Sequence, residues 1–392
     1  MAALCLVVVS PPVAHAQTTS PDDPSRRALI RLGPVAFQPR IDLRNIGIDT
    51  NVLNAPEGSE RDFTATVVPA GDAWLRVGRA VLTSRTTGEF LYFSRHTAQR
   101  SAAFGEDVRV DVDLGRLTPS ARIAHVTSFT RPSLEFDARV RRTTAHVSGG
   151  LVVALTSALS FTLDAQAARV TFGEEAAGIA DALDHESRQV AVSSRVGVTR
   201  LTTWVTTVED RRDRFLHTSL RDTNGVGVLS GFEFRPRGLL SGSALVGYRR
   251  FTPLAETVPP FSGVAVAADV RYLWREATRV GVRVRRDVEH SFEPDEPYFV
   301  ETSVGVTITQ LVVGMWDATG HVAFDRLGYR AIGSTGGASR IDRVRTVSVG
   351  AGYHLGFGAR VGIEVTAQRR TSVLADRSFE GIRCGGVFSY GY

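Results

Sequence analysis

Long stretches of this chain alternate strictly between apolar and polar side chains, and that period of two is what most limits the folds open to it. From Asp62 to Gly78 the odd positions read Phe63, Ala65, Val67, Pro69, Gly71, Ala73, Leu75 and Val77; the even ones include Asp62, Thr64, Thr66, Asp72 and Arg76. A strand turns successive side chains to opposite faces, so such a segment has one greasy face and one wet face. Val108, Val110, Val112 and Leu114 alternate in the same way with Arg109, Asp111 and Asp113. Val264 to Trp274 alternates with Asp269, Arg271 and Arg275; Val280, Val282 and Val284 with Arg279, Arg283 and Arg285; Val361, Ile363 and Val365 with Arg360 and Glu364. Helix-period stripes are absent. The one helix-like stretch, Glu174 to Leu183, is read as a loop.

Short breaks fall near Arg79, Leu117, Thr156, Leu201, Pro236, Glu276, Val312 and Phe357, at intervals of about 40 residues. Between them lie longer breaks at 53–61, 98–103, 174–184, 216–220, 253–260, 293–297 and 331–340, with tighter ones near Pro132 and Ala375. The two kinds alternate. They delimit about eighteen strands (sixteen is the alternative), with both ends of the chain on the short-turn side. Strands of about 12 to 18 residues exceed the usual five or six of a soluble sandwich and suffice to cross a bilayer at a tilt. Closure follows, because an open sheet edge in hydrocarbon leaves unpaired backbone groups at several kcal/mol each. The expected fold is therefore an all-β, closed, antiparallel transmembrane β-barrel with short periplasmic turns and modest outer loops, in a Gram-negative outer membrane. A secreted sandwich array or a propeller is the competing architecture.

Composition agrees with this. Only 43% of the 392 residues are hydrophobic, and no run approaches the roughly 20 apolar residues of a spanning helix. The two cysteines, Cys5 and Cys384, exclude a disulfide scaffold and a cysteine-cluster zinc site. Leu4 to Val9 followed by Ala14-His15-Ala16 reads as a signal peptide ending at residue 16. Residues 17–34 then form a polar periplasmic tail, and 35–392 the barrel. Aromatics expected at strand ends, as an interfacial girdle, are Phe90, Tyr92, Tyr248, Phe251, Tyr272, Trp274, Tyr298, Phe299, Tyr329 and Tyr353. The last residues, Phe388, Tyr390 and Tyr392, resemble the signal read by the barrel-assembly machinery.

If apolar positions face lipid, the lumen receives Arg109, Asp111, Arg139, Arg141, Arg249, Asp269, Arg271, Arg279, Arg283, Arg285, Glu301, Arg360 and Glu364, along with Arg275, Asp137 and Asp287. Arginine stays charged and offers planar, often bidentate contacts to carboxylates and phosphates. A basic track for anions is one reading. Neutralisation by neighbouring Asp and Glu is the other, and the totals of 46 basic and 41 acidic residues favour it. The longest outer loop is only about ten residues, and none is expected to fold inward. There is no Gly-x-Ser-x-Gly elbow, phosphate loop or His-Glu-x-x-His motif. Gly225-Val226-Gly227 and Gly350-Ala351-Gly352 are small residues on strands, and His125 with Ser128 lacks a third catalytic partner. No enzyme activity, cofactor, metal or nucleic-acid partner is expected. The acidic loops Glu57 to Asp62 and Glu293 to Pro297 read as solvated tips, with calcium-bridged contact to lipopolysaccharide as the other possibility.

The segment Pro34 to Val52 ends in Gly47, Asp49, Asn51 and Val52. It resembles the first strand of the putative β-barrel porins associated with capsular or exopolysaccharide export. Arg131-Pro132, Glu135 to Arg139, Gly231 to Phe234 and Gly247 to Phe251 resemble the same group, over nearly the whole mature chain. The resemblance implies an aqueous outer-membrane conduit, with periplasmic polysaccharide-export proteins among its partners beside outer-membrane lipid and the assembly machinery. A passive diffusion porin with mild anion preference and a non-conducting structural or adhesion barrel remain the alternatives.

Overall fold

The computed structural model describes Ser25 and residues 28–173, 177–236 and 238–391; the expected signal peptide, most of the expected tail and Tyr392 lie outside them. Among the described residues nineteen strands form one sheet. A short strand β1 (Ile30–Leu32) folds back on β2 (Val35–Asp49), and the remaining pairings run β2 to β19 in chain order. The last strand, β19 (Phe379–Tyr390), pairs with β2, so eighteen antiparallel strands close on themselves. Barrel strands are 12 to 16 residues long.

The side on which each row lies follows the period of two. Phe63, Phe104, Ile123, Val147, Leu163, Val192, Val208, Val246, Ile308, Val349 and Ile363 are all exposed on the outer wall. Positions one residue away bury Asp62, Thr64, Asp72, Thr162, Ser193, Glu209 and Asp317. The outer wall of a transmembrane barrel meets lipid tails, so apolar exposure there is the solvated state. The stretch 177–183, expected as loop, contains a short helix, α1 (Ala177–Leu183), that packs Ala182 and Leu183 inward.

The seam needs one special residue. β2 bulges between Arg44 and Gly47, where Asn45 takes a φ of 53°. A Cβ on Gly47 would overlap the backbone carbonyl oxygen of Cys384 on β19, so only glycine lets the first and last strands meet here. Asp49 then accepts from Arg383 across the seam at 3.0 Å. Asn51 ties both sides, donating to the carbonyls of Ala55 (2.8 Å) and Glu380 (2.9 Å).

The girdle is corrected in part. Phe90, Tyr92, Tyr248, Tyr272 and Trp274 are exposed on the outer wall, but Phe251, Tyr298, Phe299 and Tyr329 are buried. Phe299 and Tyr329 pack with Leu327 and Val344 against Leu134 of the loop 131–139. Tyr298 donates its hydroxyl to the carbonyl of Pro259.

Candidate functional site: an inserted loop and the basic groups around it

The segment between β6 (Leu117–Thr130) and β7 (Val140–Ala154) does not stay at the rim. Contrary to expectation, residues 131–139 fold into the outer mouth of the barrel. The loop is anchored on several sides at once. Arg131 Nη2 and Arg139 Nη1 both donate to the carbonyl of Val52, at 2.9 and 3.2 Å, and Arg139 lies over the Phe93 ring. On β18 (Ala359–Thr371), two strands round from β2, Arg370 Nη1 donates to the carbonyl of Glu135 (3.0 Å) and to Asp137 (3.1 Å), while its Nη2 reaches Asp342 at 2.7 Å. Arg377 joins Asp137 to Glu293. Between these anchors Phe136 packs against Phe172, Phe292, Val140, Leu183 and Phe215. Nine residues thus touch groups carried by β4 (Ala80–Phe93), β10 (Thr202–Phe215) and β18, which are separated around the cylinder.

Two segments that carried the family resemblance therefore lock together: Gly47, Asp49, Asn51 and Val52 close the seam and present the carbonyl that Arg131 and Arg139 grip. Glu135 is fully buried, accepting from Ser291 Oγ (2.5 Å) and the Phe292 amide (3.3 Å). Burial pushes its carboxyl up to about 8, against the pull of those two hydrogen bonds.

Between the loop and the wall remains a cavity of about 150 Å³, whose polar lining includes Arg44, Glu89, Arg131, Arg139, Gln368 and Arg383. Four guanidinium groups face it. Burial, together with repulsion from neighbouring arginines, lowers Arg131 to about 10 and Arg139 to about 9.

Elsewhere on the inner wall arginines are mostly matched. Arg109 pairs with Asp111 (2.7 Å) and Arg122 with Asp107; Arg249 reaches Glu209 and Asp287; Arg285 reaches Glu289 and Glu301; Arg360 binds Asp317 through two contacts, at 2.6 and 2.7 Å. Glu364 is on the inner face of β18 (Ala359–Thr371), accepting from Thr366. The balance tips on β13 (Phe261–Trp274) and β14 (Thr278–His290). There Arg271 and Arg283 share Asp269, and Arg279 stands on the same face, where the opposite residue is Leu273.

Two expected lumen arginines, Arg141 and Arg275, are elsewhere, and a third, Arg139, is in the mouth but not on the strand wall. Arg141 shares its face of β7 with exposed Val147, so it points outward; Arg142 is the inward one. Arg139 belongs to the inserted loop, and Asp137 with it. Arg275 sits in the turn after β13 with a φ of 48°, its guanidinium over Trp274. Val140, between Arg139 and Arg141, sets the parity here. It is apolar yet only 3% exposed, buried beneath Phe136 instead of facing lipid. His125 and Ser128 fall on opposite faces of β6. Phe388 and Tyr390 pair with Val361 and Ala359. Among the described residues no three metal-ligating side chains converge.

The family described as "Putative beta-barrel porin 2" matches residues 23–385. The chain belongs to that family. It resides in a Gram-negative outer membrane. Its fold is similar to that of the outer membrane protein OpdK of Pseudomonas aeruginosa (12% identity, TM-score 0.50, covering 90% of this chain and 98% of OpdK). It also matches the FrpB iron transporter of Neisseria meningitidis (9% identity, TM-score 0.44, 86% of this chain and 62% of FrpB). The porin-family chain thus spans less than two thirds of FrpB. No curated protein matches the sequence.

The loop's apolar anchor gives a direct test of the packing. Phe136→Ala removes a ring from a filled cluster and is expected to cost about 3–5 kcal/mol of loop docking. Faster trypsin cleavage after Arg139 in intact outer membranes would register it (the Arg131-Pro132 bond resists trypsin); unchanged cleavage would contradict the packing.

Proposed function

We propose that this porin-family barrel is a passive channel for small solutes, with a preference for anions set at the inserted loop. The observation that carries this reading is the convergence of Arg44, Arg131, Arg139 and Arg383 on the cavity beside the loop: Glu89 lines it, Arg44 has Asp42 at 3.7 Å and Arg383 has Asp49 at 3.0 Å, while Arg131 and Arg139 donate to backbone carbonyls. Buried guanidinium groups in excess of carboxylates attract an anion and repel a cation, and the low-dielectric walls strengthen the effect. The Arg271, Arg279 and Arg283 stripe extends the same bias toward the periplasmic half.

The loop favours small permeants over a polymer. A polysaccharide strand would have to displace the Arg370, Asp137 and Asp342 contacts along its path. Export of exopolysaccharide, with periplasmic export proteins docked near the short turns, is the second reading, supported by the family resemblance. A deletion strain that loses surface polysaccharide would favour it. Neither reading gives the barrel a catalytic step or a bound cofactor.

Purified protein in planar bilayers under a KCl gradient tests the first reading. The expected reversal potential has the sign of chloride selectivity, and Arg131→Gln with Arg139→Gln brings it toward zero. Vanillate, the molecule named with one OpdK structure, is a suitable first carboxylate for current-block measurements. Cation selectivity, or no current steps, would sink the proposal.

A further inference from the structure

The outer wall carries a carboxylate where lipid tails belong. On β4 (Ala80–Phe93) the even positions face outward, as exposed Phe90 and Tyr92 show. On β5 (Ser101–Val112) the outward positions are again even, marked by exposed Phe104. Glu106 is on that outward row, midway along β5 and directly opposite Thr86, and both strands keep register without a bulge. Phe104 lies on one side of it and Val108 and Val110 on the other, so it sits within the apolar band. Ser84 and Thr86 donate to its two oxygens at 2.6 and 2.5 Å. Across the next strand pair its neighbour is His125, outward and exposed. An ionisable residue at that depth is costly against hydrocarbon and is normally turned away from lipid.

We propose that the outward face of β4, β5 and β6 is covered by a second copy of this chain, with Glu106 of one copy meeting His125 of the other. Chemical complementarity favours this occupant. The face presents an acceptor and a donor side by side, so two copies brought together satisfy each other's groups without a further partner. Small outward residues, Gly88, Ala102, Ala121 and Ala145, let two walls approach closely, as packing between membrane segments requires.

A second observation comes from the rim. Outward arginines stand toward the outer ends of other strands: Arg169, Arg188, Arg212, Arg250, Arg326 and Arg345. Arg169 and Arg188 flank Glu186 and Arg212 pairs with Asp210, while Arg250, Arg326 and Arg345 complete a row that fits the phosphates of outer-leaflet lipid. Strands β3 (Asp62–Val77) to β6 carry no outward arginine, and at that height present Phe63, Tyr92 and Ala102. At that rim the Arg100 guanidinium is laid over Tyr92 and donates to the Phe93 carbonyl. The arc with the embedded carboxylate is therefore the arc without the lipid-phosphate row.

The test uses full-length protein in isolated outer membranes, in a Cys384→Ala background because Cys384 is exposed on the outer wall. Ala121→Cys and Ala102→Cys report on the proposed face and Val322→Cys on the far wall; a short bismaleimide links nearby thiols. The expected result is a product from either proposed-face site containing only this chain, and none from Val322→Cys. Adding Glu106→Leu and His125→Leu should reduce that product at least several-fold. Heat-modifiable migration on gels selects the variants that form the barrel. Absence of the product from both proposed-face sites, equal yield from the far wall, or a product containing a different protein would overturn the proposal. The readout is independent of ion selectivity.

Discussion

A barrel in which residues 132–138 are replaced by a short glycine-serine linker is expected to conduct several-fold more current than the parent. The native loop occupies the outer mouth because both its ends and its tip are held. Arg131 and Arg139 grip the Val52 carbonyl, Arg370 holds the Glu135 carbonyl and Asp137, and Phe136 fills an aromatic cluster. Arg370→Ala should move conductance the same way with the loop still present. Its side chain and that of Asp342 are both 0% exposed and 2.7 Å apart. Removing Arg370 takes the close partner from a buried carboxylate and leaves it Arg340 at 3.7 Å, at a cost of up to about 3–5 kcal/mol. Single-channel recording of both variants decides the matter. If the linker variant keeps the parent conductance, the loop does not set the narrow point.

Raising the pH from 5 to 9 is expected to release the loop and increase conductance, through Glu135. A released loop has an ordinary carboxyl, near 4.5; burial in the docked state raises it to about 8. The docked form therefore binds the proton more tightly. Docking has its full strength below about 4.5, weakens as pH climbs, and levels off once pH has passed about 8. The whole interval weakens docking by on the order of 5 kcal/mol, enough to change which state dominates. Glu135→Gln keeps the shape and cannot ionise, so its conductance should be flat across the same range. A Glu135→Gln channel that still responds like the parent would assign the effect to another group.

Part of this arrangement was legible in the residues. Alternation over segments such as Asp62 to Gly78 identified strands, and the spacing of breaks gave their number. Parity alone put Arg109, Asp111, Arg249, Asp269 and Arg283 on the inner wall, because nothing interrupts the register of their strands. Parity failed around Val140, where an apolar side chain packs under the inserted loop instead of facing lipid. It also missed the burial of Phe299 and Tyr329, since an aromatic at a strand end looks the same whether it meets an interface or a loop. The pairing of the arginines was legible only as a balance of totals; which arginines lacked a nearby carboxylate depended on register.

By itself, then, the sequence determined a closed antiparallel cylinder, which faces of it are greasy, and which end carries the longer loops. Those features follow from local geometry: each residue's side is set by its neighbours one and two positions away, and hydrocarbon forbids an open edge. The tertiary structure decided that residues 131–139 enter the mouth, that Gly47 to Val52 form their anchor, and that Glu135 loses its water. Those outcomes rest on contacts between groups far apart in the chain, such as Arg370 with Asp137 or Arg131 with Val52. Only closure of the barrel brings such groups together.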